Sequence, residues 1–321
     1  VRYYKIVISG KNGGQGRTYS SLVGGVNDPG ALNVVLDIPV TAYATPMGSA
    51  YVQVWGVSLA DISQASDLNG ATIQVYGGMS KGLPLANPSQ AGLLVQGQVF
   101  QAFGNWVGTD MTLDLIIQPS VGGPADPKNI VLNWKSGTKM SEALASTLSA
   151  AFPGFTQTIS VSDKLVRKNN EVGYYQSLAQ FSQYVKQVSR DIVGGSTYLG
   201  VDIVVSQNAI LVSDGTQQGS SPKIKAISYQ DLIGQPTWIE SPSIQLNAVM
   251  RADINVGDTI TLPKTVVTNT AAALSSLSNQ SLAFQGTFQV SRLRHVGNLR
   301  QPDAASWITT MNAFPNQQQA A

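Results

Sequence analysis

The sequence predicts a mainly β protein with an α+β insertion: two related β-barrel domains flanking a two-helix middle domain. Three observations carry this prediction. Hydrophobic residues alternate with period two at both ends of the chain, the period changes to 3.6 between them, and two stretches of the end regions echo each other in order and spacing. The expected domains are residues 1–119, 120–222 and 223–321, and 321 residues are enough for each to bury its own core.

From Tyr3 to about Gln118, short alternating or apolar runs follow one another: YYKIVI, LNVVLDI, YVQVWGVS, ATIQVYG, LLVQGQVFQAF and MTLDLIIQ. Gly, Pro and Asn-Gly separate them, as turns separate antiparallel strands. SVGGPADPKN ends the pattern near residue 120. In GTKMSEALASTLSAAFPG, Met140, Leu144, Leu148 and Ala151 share a helical face, with Thr138 or Ser141 as N-cap and Pro153-Gly154 as a stop. A second helix, YYQSLAQFSQYVKQVSRDI, repeats the device with Tyr174, Leu178, Phe181, Val185 and Val188. Strand-like IVLNW, TQTISV and VDIVVSQNAILVSD surround the helices, so the middle is α+β. Alternation returns beyond Pro222 in SIQLNAVM, DTITLP, LAFQGTFQVSRLRH and SWITTMNAF, and the polar tail PNQQQAA is expected to fray.

The echo sets LNGATIQV (68–75) against INVGDTITL (254–262), then LLVQGQVF (93–100) against LAFQGTFQ (282–289). Gly70 and Gly97 are 27 residues apart, Gly257 and Gly286 29. A duplicated β-fold follows, with Gly97 and Gly286 expected at equivalent strand positions where a bend or a close backbone approach needs glycine. Chance recurrence of Gly, Thr and Ile in turn-strand contexts is the alternative.

Composition narrows the function. There is no cysteine, which excludes disulfides, thiolate metal sites and a cysteine nucleophile. Charged residues are 12% of the chain, against roughly 25% in an average domain. A neutral polar surface of this kind suits extensive contact with other subunits. The net charge of +2 comes without a Lys/Arg run, so no nucleic-acid footprint is expected. No apolar stretch approaches the roughly 20 residues of a membrane span, and no export signal is recognisable, so a soluble protein with no membrane anchor is expected.

Little in the chain points to catalysis. GKNGGQGR (10–17) lacks the Gly-Lys-Ser/Thr order of a phosphate loop and reads as a hairpin tip or contact loop. The acids are scattered without a motif that pairs them, and no G-x-S-x-G elbow is present. His295 is the only histidine, which excludes a multi-histidine zinc site; it reads as a residue that hydrogen-bonds locally or faces a neighbour. Arg292, Arg294 and Arg300 read as interface or turn-pinning residues, because guanidinium forks suit fixed polar contacts. With Trp307, Gly97 and Gly286 they complete the structural candidates. No catalytic, metal or cofactor site and no cofactor is expected, nor hydrolysis of peptidoglycan.

The closing region, IGQPTWIESPSIQLNAVMRADINVGDTITLP and QGTFQVSRLRHVGNLRQPDAASWITTMNAF, resembles the C-terminal part of tailed-bacteriophage baseplate hub proteins. GATIQVYGGM and LLVQGQVFQAFGNWVGTDMTLDLIIQPS resemble the first tube domain of that family, and NWKSGTKMSEALASTLSAAFPG its helical insertion. Asn298 stands where the family usually carries an acidic residue after His-Val-Gly. The hub part of type VI secretion spike proteins is related, but no β-helix needle is expected in this chain. The resemblance implies a homotrimeric, pseudo-six-fold ring in the virion tail baseplate, assembled in the host cytoplasm, which joins the hexameric tail tube to a three-fold spike and passes DNA at ejection. Its implied partners are further copies of itself, the tail tube protein, a separate spike or needle protein, other baseplate proteins and the tape measure protein, with phage DNA only in transit. A β-rich receptor- or carbohydrate-binding tail adhesin is the second reading, which clustered exposed aromatics would favour, and a tail-associated hydrolase the third.

Overall fold

The computed structural model describes residues 1–10, 16–41, 49–80, 87–119, 129–194, 198, 200–206, 209–214, 224–240, 243–263 and 286–315. Most of the 10–17 loop, the 120–128 boundary segment, the start of LAFQGTFQ and the polar tail lie outside them.

Four strands open the chain: β1 (Arg2–Ile8), β2 (Arg17–Ser20), β3 (Leu22–Val23) and β4 (Val26–Asn27). A first β-unit follows, β5 (Asn33–Val40), β6 (Ala50–Trp55), β7 (Thr72–Met79), β8 (Gly92–Val107) and β9 (Asp110–Pro119), with the short helix α1 (Leu59–Ser63) between β6 and β7. The middle region holds β10 (Ile130–Trp134), α2 (Met140–Ala151), β11 (Thr156–Ser160), β12 (Glu171–Tyr175), α3 (Leu178–Val193), β13 (Asp202–Ser206) and β14 (Ala209–Ser213). The closing region holds β15 (Lys225–Ala226), β16 (Thr237–Glu240), β17 (Ser243–Val249), β18 (Thr259–Thr261), β19 (Thr287–Asn298) and β20 (Trp307–Pro315).

The strands β16 to β20 repeat β5 to β9. In both units the spatial order is first, second, fifth, fourth, third strand: β5-β6-β9-β8-β7 and β16-β17-β20-β19-β18. The match extends to single hydrogen bonds. Gly70 and Gly257 both adopt positive φ, +80° and +92°, in the turn before the third strand. The Gly70 N–H donates to the Val99 carbonyl (2.7 Å) and the Val99 N–H to the Ala71 carbonyl (2.9 Å). Likewise the Gly257 N–H donates to the Val290 carbonyl (2.7 Å) and the Val290 N–H to the Asp258 carbonyl (2.9 Å). Immediately beyond each valine the long strand carries a bulge, between Val99 and Gln101 in β8 and between Val290 and Arg292 in β19. A bulge bends its strand and raises the local twist, which lets one long strand pair with different neighbours on either side of it.

This equivalence corrects the echo by two residues. With Val99 on Val290, Gly97 falls on Phe288; they pair with Ile73 and Ile260, one residue into the matching stretches Thr72-Ile73 and Thr259-Ile260. Gly286 lies two residues earlier, at φ +121°. Gly97 and Gly286 are therefore not equivalent. A slip of two keeps every side chain on its own face, so the hydrophobic pattern hides it. The two β-units are also joined edge to edge: β19 of the second pairs with β5 of the first, giving one sheet of 13 strands among the described residues. The flanking additions differ, β1 running antiparallel to β7 and β15 parallel to β18.

Among the described residues, three hydrophobic clusters form the core. The first gathers β1 and the first β-unit, including Tyr4, Leu36, Ile38, Ile73, Leu113 and Leu115, and also Met250, Ala252 and Trp307 from the closing region. The second lies between α2, α3 and two small sheets, β10-β12 and β11-β14-β13, and is centred on Trp134, Phe181 and Leu148. The third lies in the closing unit, and Val204 of β13 joins it while its neighbour Ile203 faces the helices.

The two helices fall where the 3.6 period puts them, with different ends. Lys139, not Thr138 or Ser141, is the N-cap of α2, and its ammonium pairs with Asp163 at 3.0 Å. Helix α3 begins after Ser177, whose hydroxyl accepts from the Gln180 N–H, and it stops at Gly194 in the left-handed region. Tyr174 thus belongs to β12 and is exposed, not on the helix face. Phe181 is fully buried. Phe181→Ala should cost about 3–5 kcal/mol, as large-to-small core substitutions do. In hydrogen exchange, protection should fall in α2 and α3 and persist in β5, β6 and β9; equal loss in all of them would mean one cooperative core.

Candidate functional site

The junction of the two β-units gathers most of the candidate residues. Its frame is the antiparallel ladder from Leu293↔Val40 to Asn298↔Val35. Arg294 leaves this ladder on the solvent side and grips Asp37 with a fork, Nε to Oδ1 at 2.7 Å and Nη2 to Oδ2 at 2.6 Å. Both side chains are about half exposed, so the pair adds register more than stability.

His295 projects to the other face, opposite Ile38 on one side and Thr309 on the other, and is 3% exposed. Its Nδ1 is 2.9 Å from the Thr309 hydroxyl. That hydroxyl also accepts from the Arg251 N–H (3.0 Å) and donates to the Arg251 carbonyl (3.2 Å). Nδ1 and the Thr309 hydroxyl thus share one buried hydrogen bond. Burial pushes the imidazole pKa down to about 4, so the ring is neutral near pH 7.

Trp307 starts β20 yet is buried in the first cluster. Its indole N–H donates to the Gly78 carbonyl (2.8 Å), and its ring lies on Gly297, where a Cβ would come within 2.7 Å of it. Only glycine fits there. Arg300 pins the strand entering β5, donating to the Ala31 (2.6 Å) and Pro29 (3.3 Å) carbonyls while its own N–H meets the Asn33 side chain. Arg292 stands apart, exposed at the bulge of β19. Gly97 lies within the β7-β8-β9 ladders, away from the junction.

Three further features were not singled out in the sequence. Arg2 donates to the carbonyls of Asn298, Leu299, Gln301 and Asp303, fastening the turn after β19 to the first strand. Arg251, 3% exposed, forks onto Asp253 at 2.7 Å for both bonds and reaches Asp231 at 3.2 Å. Asp231 also accepts from Gln90 of the first unit, at 3.3 Å. Buried Asp114 accepts from Gln53 (2.8 Å), Thr112 (2.9 Å), Asn105 (3.0 Å) and Tyr51. The Arg-x-Asp spacing of Arg251 and Asp253 was the one visible signal. Among the described residues, no three His, Cys, Asp or Glu gather to hold a metal. What this arrangement does is fix two β-units rigidly to each other.

No protein-family model and no curated protein matches the sequence. Solved structures do match. The 43 kDa tail protein of prophage MuSo2 from Shewanella oneidensis is similar over 98% of this chain and 97% of its own, at TM-score 0.52 and 7% identity. The chain has the fold of a phage tail protein. The E. coli c3393 protein, a component of the type VI secretion system similar to the T4 tail proteins gp27 and gp5, matches over 92% of this chain and 76% of its own, at TM-score 0.50 and 8% identity. At such identities the likeness is one of architecture: mainly β with a small helical insertion.

His295 gives the junction a pH signature. Its pKa is about 6.5 unfolded and about 4 folded, so its contribution is complete above pH 6.5 and is lost as pH falls through 4. Denaturant midpoints at pH 7 and pH 5 should differ less in His295→Gln than in the parent chain; equal differences would contradict the assignment.

Proposed function

We propose that the chain is a structural subunit of a tail baseplate hub, three copies of which form a ring joining a hexameric tail tube to a three-fold spike. The observation that carries this reading is the duplication of β5–β9 as β16–β20, with the two copies fixed edge to edge. Three chains then bring six equivalent units, so one face presents six-fold and the other three-fold symmetry from identical subunits. The tail-protein fold supports it, as does the similarity to a type VI secretion component that is itself similar to phage tail proteins.

In this role the chain sits in the virion tail, contacts copies of itself, the tube and spike proteins, other baseplate proteins and the tape measure protein, and lines the channel for DNA. The low charge of the chain, with no Lys/Arg run, suits such a channel, because phosphate binding depends on those residues. We assign it no catalytic role. The adhesin reading asks for exposed aromatics in one patch. The exposed aromatics include Phe100, Phe103 and Trp106 on β8, Tyr174 on β12, Tyr229 and, on β16, Trp238, and Phe103 and Trp106 project from opposite faces of their strand.

Native mass measurement of the concentrated chain, and of the ring recovered from particles, tests the proposal. Three chains of 33.9 kDa are expected in one closed species. A closed dimer or tetramer would overturn it.

A further inference from the structure

The middle region carries an open strand edge beside a helix. Strand β10 (IVLNW) pairs with β12 in an unbroken antiparallel ladder from Ile130↔Tyr175 to Trp134↔Glu171, and no strand lies on its other side among the described residues. A groove of about 440 Å³ is lined by Val131, Asn133 and Lys135 on the strand and by Glu142, Ser146 and Thr147 on α2, with no residue of β12, so it follows the free edge. We propose that this groove binds an extended segment of another protein, added antiparallel to β10 as a third strand, with an acidic and a basic residue side by side at the Lys135 end. The site belongs to the middle region and does not depend on the ring.

Three features suit a strand as the occupant. The edge is unguarded: open edges are usually blunted by charge, proline or a bulge, and Ile130–Trp134 has none of these. The sheet has only two strands, and its outer face is an exposed apolar stripe, Val131 at 41%, Val172 at 58% and Tyr174 at 73% exposure, which a third strand would extend beyond the pair Val131↔Tyr174. The helix wall also holds a buried hydroxyl without a partner, Thr147 being 2% exposed with its Oγ1 in no hydrogen bond. A polar group left unpaired in this way costs stability, and a hydrogen-bonding group entering the groove removes the cost.

Charge sets the pattern of the occupant. A tight turn through Gly137, at φ +78°, joins β10 to α2, so Lys135 and Glu142 stand at the same end of the groove, one on each wall. Both are exposed, and neither forms an ion pair among the described residues. From there to Thr147 the walls are neutral. Successive residues of a strand point to opposite faces, and directly opposed residues share one. An occupant residue opposite Lys135 therefore lies beside that ammonium on the outer face, and the next turns towards α2 and Glu142. An acid followed by a base complements both. In an antiparallel ladder, which continues the β10–β12 geometry, the fifth residue then lies opposite Val131 and is apolar. The sixth turns towards Thr147 with a hydrogen-bonding side chain.

A set of blocked heptapeptides, titrated against the full chain, tests this. The first two residues are Glu-Arg, Arg-Glu, Glu-Glu, Arg-Arg or Ser-Ser, the fifth is Val or Asp, and the others are Thr. Fluorescence anisotropy should rank Glu-Arg with Val first, and in its presence hydrogen exchange should slow at the amides of Ile130–Trp134. The charge-swapped variant K135E/E142K should prefer Arg-Glu over Glu-Arg by about fivefold. T147V should leave the denaturant midpoint of the free chain equal or higher, since it removes an unpartnered hydroxyl, yet weaken the peptide about fivefold. If the charge-swapped chain folds poorly, S146W fills the groove from an exposed position and should abolish binding with unchanged circular dichroism. A ranking by net charge alone, a preference that does not invert, unchanged binding in T147V or S146W, or no binding by any peptide would overturn the proposal. So would a peptidoglycan fragment that binds the groove and that the Glu-Arg peptide fails to displace, which would assign the site to glycan.

Discussion

The antiparallel ladder between β5 and β19 is the constraint on which the rest depends. It joins residues more than 250 positions apart, and it turns two β-units into one sheet with a defined angle between them. Backbone pairing alone would leave that angle adjustable, because a twisted sheet accommodates several geometries. Side chains on each flank remove the freedom. Trp307 crosses into the first cluster and rests on Gly297, Arg2 and Arg300 hold the two chain ends of the ladder by carbonyl contacts, and His295 with Thr309 seals the buried face. The polar ties are nearly all to main chain or within forks, which suits a protein with few charges to spend.

The repeat survives in backbone devices more than in residue identity. A positive-φ glycine turn, a reciprocal pair of hydrogen bonds and a bulge recur in both units, while the residues on the bulged strands differ: Phe103 stands against Arg294, Gly104 against His295. Those differences track environment. In the junction the positions carry a solvent-side ion pair and an enclosed histidine; on β8 they carry an exposed Phe103 and a half-buried Gly104 against Ile62. The same strand geometry thus meets different surroundings in the two copies.

Much of this was legible in the sequence. Alternation gave the buried faces of β5 and β6, where Val34, Leu36 and Ile38 and then Val52 and Val54 point inward, and the turn glycines Gly70 and Gly257 marked the repeat. Register was not legible to better than two residues, since a slip of two conserves faces, and so Gly97 was set against Gly286. Tyr174 looked helical because its spacing to Leu178 fits one turn; the Ser177 cap, a local hydrogen bond, decides otherwise. His295 read only as a residue that hydrogen-bonds locally or faces a neighbour, because nothing local says that β5 and β20 will flank it. Arg2 draws its role from partners nearly 300 positions away, and no spacing rule reaches that far.

Symmetry is where the account is most exposed. Rotational analysis of electron images of the isolated ring, viewed down its axis, measures it directly. Two equivalent units per chain in three chains predict a dominant six-fold component at low resolution that gives way to three-fold as strand-level differences appear. A two-fold or four-fold ring, or a three-fold ring with no six-fold component at any resolution, would contradict it.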